Sequence, residues 1–374
     1  MPPPDRSALI EELQHLLLGL NHLPTGCAVA AGYRPASDGF VGGDWYDAIP
    51  VAADQAGLIV GDVVGSGLAA VASMGQLRAG AAAAALADPN PARVMEVLDR
   101  LARHTLGGGY ATAVYGLLDT KAERLDYCIA GHAPPMLVTP GGTVQVLDEG
   151  RRWPLGLEVL RSNRTASIAF PAGSLLFLYT DGLIERRGES MNLGLYRLRR
   201  ALERFGHLPT SLVCDRLLET MFEVDAAGDD VAVLAVRGIG STERSYADVI
   251  PGSSNELRAA RRRLREWLEL IDAPPKERDL FLLAMNEAIS NSVVHGCQND
   301  HEKQVTIEAC LDNEALIGSV RDPGGWKADD TKEGEDRGLG LTIIRESTDD
   351  VDLKTTPDMT RTVIRLALRA PVNV

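Results

Sequence analysis

The chain is poor in aromatic side chains, 5% of its 374 residues, and poor in cysteine, with five. Few aromatics leave the cores to Ala, Val and Leu, and hydrophobic residues at 45% supply them. The cysteines, Cys27, Cys128, Cys214, Cys297 and Cys310, are odd in number and scattered, with no CxxC pair. That argues against a disulfide framework or a zinc site and fits a reducing compartment. Positive charge is also short: 38 Lys and Arg against 52 Asp and Glu give a net charge of −14. A phosphate backbone needs a basic face, so no nucleic-acid partner is expected, and an acidic surface is repelled by anionic membranes. A long uninterrupted apolar run is missing too. The most apolar stretch, 67–87, is broken by Gln76 and Arg78 and reads as a soluble helix. The opening MPPPDRSALIEELQ has no basic segment followed by an apolar one, so the expected location is cytoplasmic.

The length suggests two domains. Residues 7–20 (SALIEELQHLLLGL) read as a short amphipathic helix, and 1–24 as a helix and linker ahead of the first domain. From 25 to 237, short apolar runs alternate with turns: 57–64, 111–119, 124–131, 174–182 and 230–236 read as strands. Helical patterns at 68–87, 91–104 and 193–204 lie among them, an α+β arrangement of strands covered by helices. The stretch 238–252, polar and rich in Gly and Ser, reads as a linker. Beyond it, 253–374 reads helix, helix, strands, Gly-led helix, strand, which is a two-layer α/β sandwich.

Four carboxylates in the first domain sit where a core has no use for charge. Asp44 follows two glycines in VGGDWYD, Asp62 ends LIVGD, Asp181 ends LLFLYTDG, and Asp229 opens GDDVAVLAV. Each taken singly also fits a turn cap. Converging together they would repel, and a divalent cation is the simple remedy; all-oxygen ligands select Mg²⁺ or Mn²⁺.

The ordered set VGGDWYD, LIVGDVVGSGLAA, ATAVYGLLD, AGHAPPMLV, PLGL, LFLYTDGLIE and GDDVAVLAV resembles the PPM-type phosphatases, in particular the bacterial RsbU and SpoIIE subfamily. The resemblance runs from about 12 to 237. It implies a β-sandwich flanked by helices with two Mn²⁺ or Mg²⁺ ions in its crevice. Asp44, Asp62, Asp181 and Asp229 would be ligands with the carbonyl of Val63, and Asp62 would bridge the ions. It also implies that the helix 68–87 corresponds to a segment through which relatives switch their metal sites. Where many relatives read GHG this chain has Gly65-Ser66-Gly67, and the phosphate-binding arginine of larger members has no match. Arg34 in GYRPAS either substitutes for it or is a surface residue, and His132 in AGHAPP reads as structural.

In the second domain Glu287 and Asn291 are four apart on one helical stripe, so their side chains lie one turn from each other. A Glu and an Asn so placed can orient a hydroxyl and hold Mg²⁺; the stripe also fits a helix that merely runs out of its core. Asp322, at a Gly turn after ALIGSVR, can accept from an adenine amine. Gly338 and Gly340 open a helix whose N-terminus offers N–H groups to phosphates. Together these resemble the GHKL (Bergerat) ATPase fold and, within it, the RsbW-like anti-sigma-factor serine kinases, over about 253–370. The resemblance implies ATP with Mg²⁺, Glu287 as the base toward the acceptor serine, and Asn291 on Mg²⁺. It places Asp322 and Gly324 at adenine, Gly338 and Gly340 at the phosphates, and 327–336 as a lid. No histidine lies between 208 and 294, which sets aside a phosphorelay through a helical histidine.

The expectation is a protein phosphatase acting on a phosphorylated STAS-type antagonist of an anti-sigma factor. Its C-terminal domain would phosphorylate such an antagonist, or would sequester it or a sigma factor without kinase activity. Homodimerisation stays open.

Overall fold

The computed structural model describes residues 26–35, 42–157, 164–222, 229–312, 314–324, 339–356 and 359–368. The N-terminal helical pattern at 7–20, the segment 327–336 and Gly338 lie outside them. The described chain forms two compact units. One comprises the residues up to Gly206 with Ser211–Arg237, and the other His207–Thr210 with Gly238 onward.

The first unit is a pair of sheets. One has the order β1 (Cys27–Arg34), β11 (Val231–Gly238), β10 (Leu175–Tyr179), β6 (Met136–Val138), β7 (Val144–Val146). The other runs β2 (Trp45–Ala52), β3 (Gln55–Val63), β4 (Ala111–Asp119), β5 (Arg124–Ala130), β8 (Arg151–Arg152), with β9 (Ala166–Ala169) also on β5. Val29, Leu176 and Leu234 of the first sheet share one core with Leu58, Val60 and Val114 of the second. Strands covered on both faces read as continuous apolar runs, and β10 and β11 are buried at every residue. The outer cover of the second sheet is α1 (Leu68–Ala87) on β2 and β3, and α2 (Pro91–Thr105) on β4 and β5. Small residues let these helices close on each other: a Cβ on Gly80 would stand 2.5 Å from Leu101 Cδ2. Asn90 begins α2, its side chain accepting from Ala92 N at 3.0 Å with Pro91 in the first turn. Two more helices, α3 (Met191–Phe205) and α4 (Thr210–Met221), serve the first sheet: α3 lies on β6 and β7, and Gly32 of β1 packs against Leu218 and Cys214 of α4.

The second unit is one antiparallel sheet under helices. Its order is β12 (Gly240–Ser241), β13 (Ser245–Pro251), β14 (Gln304–Asp312), β15 (Ala315–Asp322), β17 (Met359–Ala367), β16 (Asp350–Thr356). Above it lie α5 (Leu257–Leu270), α6 (Pro275–Asn291) and α7 (Leu339–Ser347). Their core holds Trp267, Phe281, Met285, Ile307, Val320 and Ile364.

The expected linker at 238–252 is corrected here. It supplies two strands, with β13 pairing along β14 from Ser245↔Cys310 to Pro251↔Gln304. Tyr246, Ala247 and Ile250 are buried, and the Tyr246 ring lies 6.0 Å from that of Trp267. Three buried apolar residues suffice once a partner strand is there. The helix α4 and the strand β16 were likewise not expected from the sequence.

Candidate functional site

Asp44, Asp62, Asp181 and Asp229 reach one crevice of the first unit from four separate segments. Asp44 leads into β2 behind Gly42 and Gly43. Close approach requires both glycines: a Cβ on Gly43 would stand 2.2 Å from the Val63 carbonyl oxygen, and one on Gly42 would meet Asp230 Oδ2 at 1.3 Å. Val63 N donates to Gly43 O at 3.2 Å, which fixes the end of β3 beside Asp44. Asp62 is the penultimate residue of β3, opposite Thr112. Asp181 begins a 3₁₀ turn one residue beyond β10, after Thr180. Asp229, exposed, and Asp230, buried, precede β11, and Asp230 N donates to Asp229 Oδ1 at 2.8 Å.

The electrostatics follow from burial and like charge. Asp44 is 5% exposed; burial and then the charges of Asp62, Asp230 and Asp181 push its carboxyl well above the usual range. Thr180 opposes this by donating its hydroxyl to Asp44 Oδ2 at 2.7 Å. Burial and then Asp181 push Asp62 up to about 6, against a hydrogen bond shared with Asp44. Asp181 is raised by burial, then by Glu185 and Asp229. His132 braces the same region. Its Nε2 donates to Tyr179 O at 3.0 Å and its Nδ1 accepts from the Thr112 hydroxyl at 2.6 Å. Buried, it is pushed down to about 4 and stays neutral, in the structural role expected of it.

This donor set suits a hard divalent cation: carboxylate oxygens and a backbone carbonyl, held close by glycines, whose shared charge calls for a counter-ion. Among the described residues no three His, Cys, Asp or Glu side chains enclose an ion as they stand. The fit therefore rests on the chemistry of the donors and their electrostatic coupling. Arg34 is absent from the crevice. It shares a face of β1 with Gly32, toward α4, and its guanidinium lies 4.4 Å from the centroid of the Phe222 ring. Successive residues of a strand face opposite ways, so Tyr33 points to the carboxylates instead, donating to Asp230.

The second unit carries a cleft lined by Asn291, Ser292, His295, Asp322, Ile344 and Thr362 among others. Glu287 and Asn291 occupy the last turns of α6. Gly340, in the first turn of α7, faces both: a Cβ there would stand 3.3 Å from Glu287 Oε2 and from Asn291 Nδ2. After Asn291 the helix widens into a π turn, Ser292–Gly296. Asp322, 3% exposed, ends β15; its Oδ1 accepts from Gly324 N at 3.0 Å and its carboxylate also bonds Ser292. Burial raises its carboxyl against these bonds. Gly296 and Gly324 close behind it, since a Cβ on either would come within 2.1 Å of the other segment. Thr360 ties down the turn by donating to Gly324 O at 2.7 Å. A buried acceptor beside Leu341 and Ile344, with Asn291 on the same cleft and Gly340 of the α7 N-terminus facing Asn291 and Glu287, suits a purine nucleotide.

Sequence reasoning missed Tyr33, Thr180 and Asp230 in the first site and Ser292 and Thr360 in the second. Asp230 was visible as the second half of the Asp229–Asp230 doublet, and Thr180 and Ser292 adjoin residues already singled out. Nothing in the local sequence marked Tyr33 or Thr360.

Comparison with known proteins follows the same division. Residues 52–238, half of the chain, match the Stage II sporulation protein E (SpoIIE) family, and residues 250–368 match the histidine kinase-like ATPase domain. The phosphoserine phosphatase RsbP of Bacillus subtilis is 28% identical over 163 residues, 41% of this chain and 38% of that protein. The chain thus spans well under half the length of that relative. The anti-sigma F factor of Bacillus subtilis is 27% identical over 114 residues, 28% of this chain and 78% of that protein. The crystal structure of the RsbU and RsbW domains of Rv1364c from Mycobacterium tuberculosis aligns with a TM-score of 0.54 at 28% identity. It covers 94% of this chain and 97% of that one. Among the described residues no helix is long and apolar enough to cross a membrane.

Proposed function

Since the chain belongs to the SpoIIE family and carries a histidine kinase-like ATPase domain behind that region, we propose that it is a metal-dependent phosphoserine/phosphothreonine protein phosphatase fused to an ATP-binding, anti-sigma-factor-like domain. The observation that carries this reading is the gathering of Asp44, Asp62 and Asp181 in one glycine-lined crevice, where Asp62 and Asp181 raise the carboxyl of Asp44 and Asp181 raises that of Asp62. Asp44, Asp62, Asp181 and Asp229, with the Val63 carbonyl, would hold two Mn²⁺ or Mg²⁺ ions. Ions held there supply a water of lowered pKa and positive charge for the phosphate oxygens. Thr180 orients Asp44, and neutral His132 ties β4 to the end of β10, just ahead of Asp181.

In the second unit Asp322 would accept from the adenine amino group, with Gly324 shaping the turn beside it. Asn291 would hold Mg²⁺, Gly340 would offer its N–H to the phosphates, and Glu287 would take the proton of an acceptor serine. The substrate class is a phosphorylated STAS-type antagonist of an anti-sigma factor, within a partner-switching circuit in the cytoplasm. This is supported by the names of the relatives, a phosphoserine phosphatase for one half and an anti-sigma factor for the other.

The test is hydrolysis of p-nitrophenyl phosphate and a phosphoserine peptide with Mn²⁺ or with EDTA, in the wild type and Asp62→Asn. Turnover that needs Mn²⁺ and disappears in the variant is the expected result. Turnover that survives EDTA contradicts the proposal. Phosphotransfer from ATP to an antagonist protein, lost in Glu287→Ala while nucleotide binding persists, tests the kinase role. Equal transfer by both proteins removes Glu287 from it.

A further inference from the structure

Tyr33 and Asp230 stand beside the carboxylate crevice and have no part in the chemistry above. Asp230 is 2% exposed, a depth at which a carboxylate is costly unless something holds it. It touches three of the segments that carry the proposed ligands. Its Oδ2 occupies the place where a Gly42 side chain would begin, in the turn leading to Asp44. Its carbonyl oxygen lies 2.2 Å from the Cβ position of Gly182, the residue after Asp181. Its backbone N–H donates to Asp229 Oδ1 at 2.8 Å. Displacing Asp230 therefore displaces Asp44, Asp181 and Asp229 together. What holds Asp230 comes from yet another segment: the Tyr33 hydroxyl, at the end of β1, donates to its carboxylate.

We infer that the Tyr33–Asp230 pair is a positioning device that sets the spacing of Asp44, Asp181 and Asp229, and with it the affinity of the crevice for a divalent cation. Neither residue needs to touch the ion; groups that orient metal ligands typically change affinity about 10–100-fold when removed. The inference rests on the crevice being a metal site.

Calorimetric titration of Mn²⁺ into the full chain tests it, in the wild type, Tyr33→Phe, Asp230→Asn and Arg34→Met. Tyr33→Phe keeps the ring and loses only the hydroxyl. It should bind Mn²⁺ about 10–100-fold more weakly, with kcat recovering at saturating Mn²⁺. Asp230→Asn keeps the shape and an acceptor, and should lose less. Arg34→Met, next along β1 but facing α4, should bind as the wild type does. Wild-type affinity in Tyr33→Phe overturns the inference, as does an equal loss in Arg34→Met. A wild type that binds no Mn²⁺ would instead bring down the metal reading beneath it.

Discussion

In the first unit, five carboxylates meet from four separated stretches of chain: Asp44, Asp62, Asp181 and the pair Asp229–Asp230. In the second, Glu287, Asn291 and Ser292 follow one another along a helix and its π turn, and Asp322 and Gly324 share one strand end. The difference is electrostatic as much as topological. Asp322 is buried but has its own donors in Ser292 and Gly324 N. Asp44 has Thr180, yet it also faces the like charges of Asp62, Asp230 and Asp181. The nucleotide cleft is thus organised by its own hydrogen bonds, whereas the carboxylate crevice is organised against its own repulsion by glycine turns and sheet packing. A site of the second kind gains most from a cation.

The comparison predicts independent failures. The largest effect belongs to Asp62→Asn. Removing this proposed metal ligand should forfeit several kcal/mol of metal-derived stabilisation, about 1000-fold or more in Mn²⁺-dependent hydrolysis. ATP affinity measured by calorimetry stays unchanged; a matching loss of ATP binding would break the division between the sites. Next comes His132. Its folded pKa, about 4, lies below the ordinary imidazole value. Its contribution is therefore complete above about pH 6.5 and is lost as pH falls toward 4. Between those values the stability advantage of the wild type over His132→Gln should shrink by about 3 kcal/mol in urea unfolding. An advantage constant with pH would show that the imidazole is not held neutral. The smallest effect is expected for Asp322→Asn, which exchanges a charged acceptor for a neutral one. A hydrogen bond to a charged group is worth about 1.5–3 kcal/mol, so ATP affinity should fall about 10–100-fold while Mn²⁺-dependent hydrolysis persists.

Much of this arrangement was legible in the chain itself, for reasons that differ between residues. Asp44, Asp62 and Asp181 are charges at the ends of apolar runs, beside glycines, and both signals are local. Glu287 and Asn291 could be placed together because helix geometry fixes the four-residue spacing. Tyr33 could not: its partner Asp230 is 197 positions away, and only the adjacency of β1 and β11 brings them together. Arg34 and Tyr33 are adjacent in sequence, and only the alternation of side chains along β1 sends one to Phe222 and the other to the carboxylates. The strand β13 was misjudged because burial of Tyr246 and Ile250 depends on α5 and β14, which no local window contains.

The most direct test of the account is diffraction from crystals soaked in Mn²⁺, collected where manganese scatters anomalously. The account predicts anomalous density among Asp44, Asp62, Asp181 and Asp229, beside the Val63 carbonyl and lost in Asp62→Asn. Bound manganese found elsewhere, or density in the crevice that persists in Asp62→Asn, would contradict it.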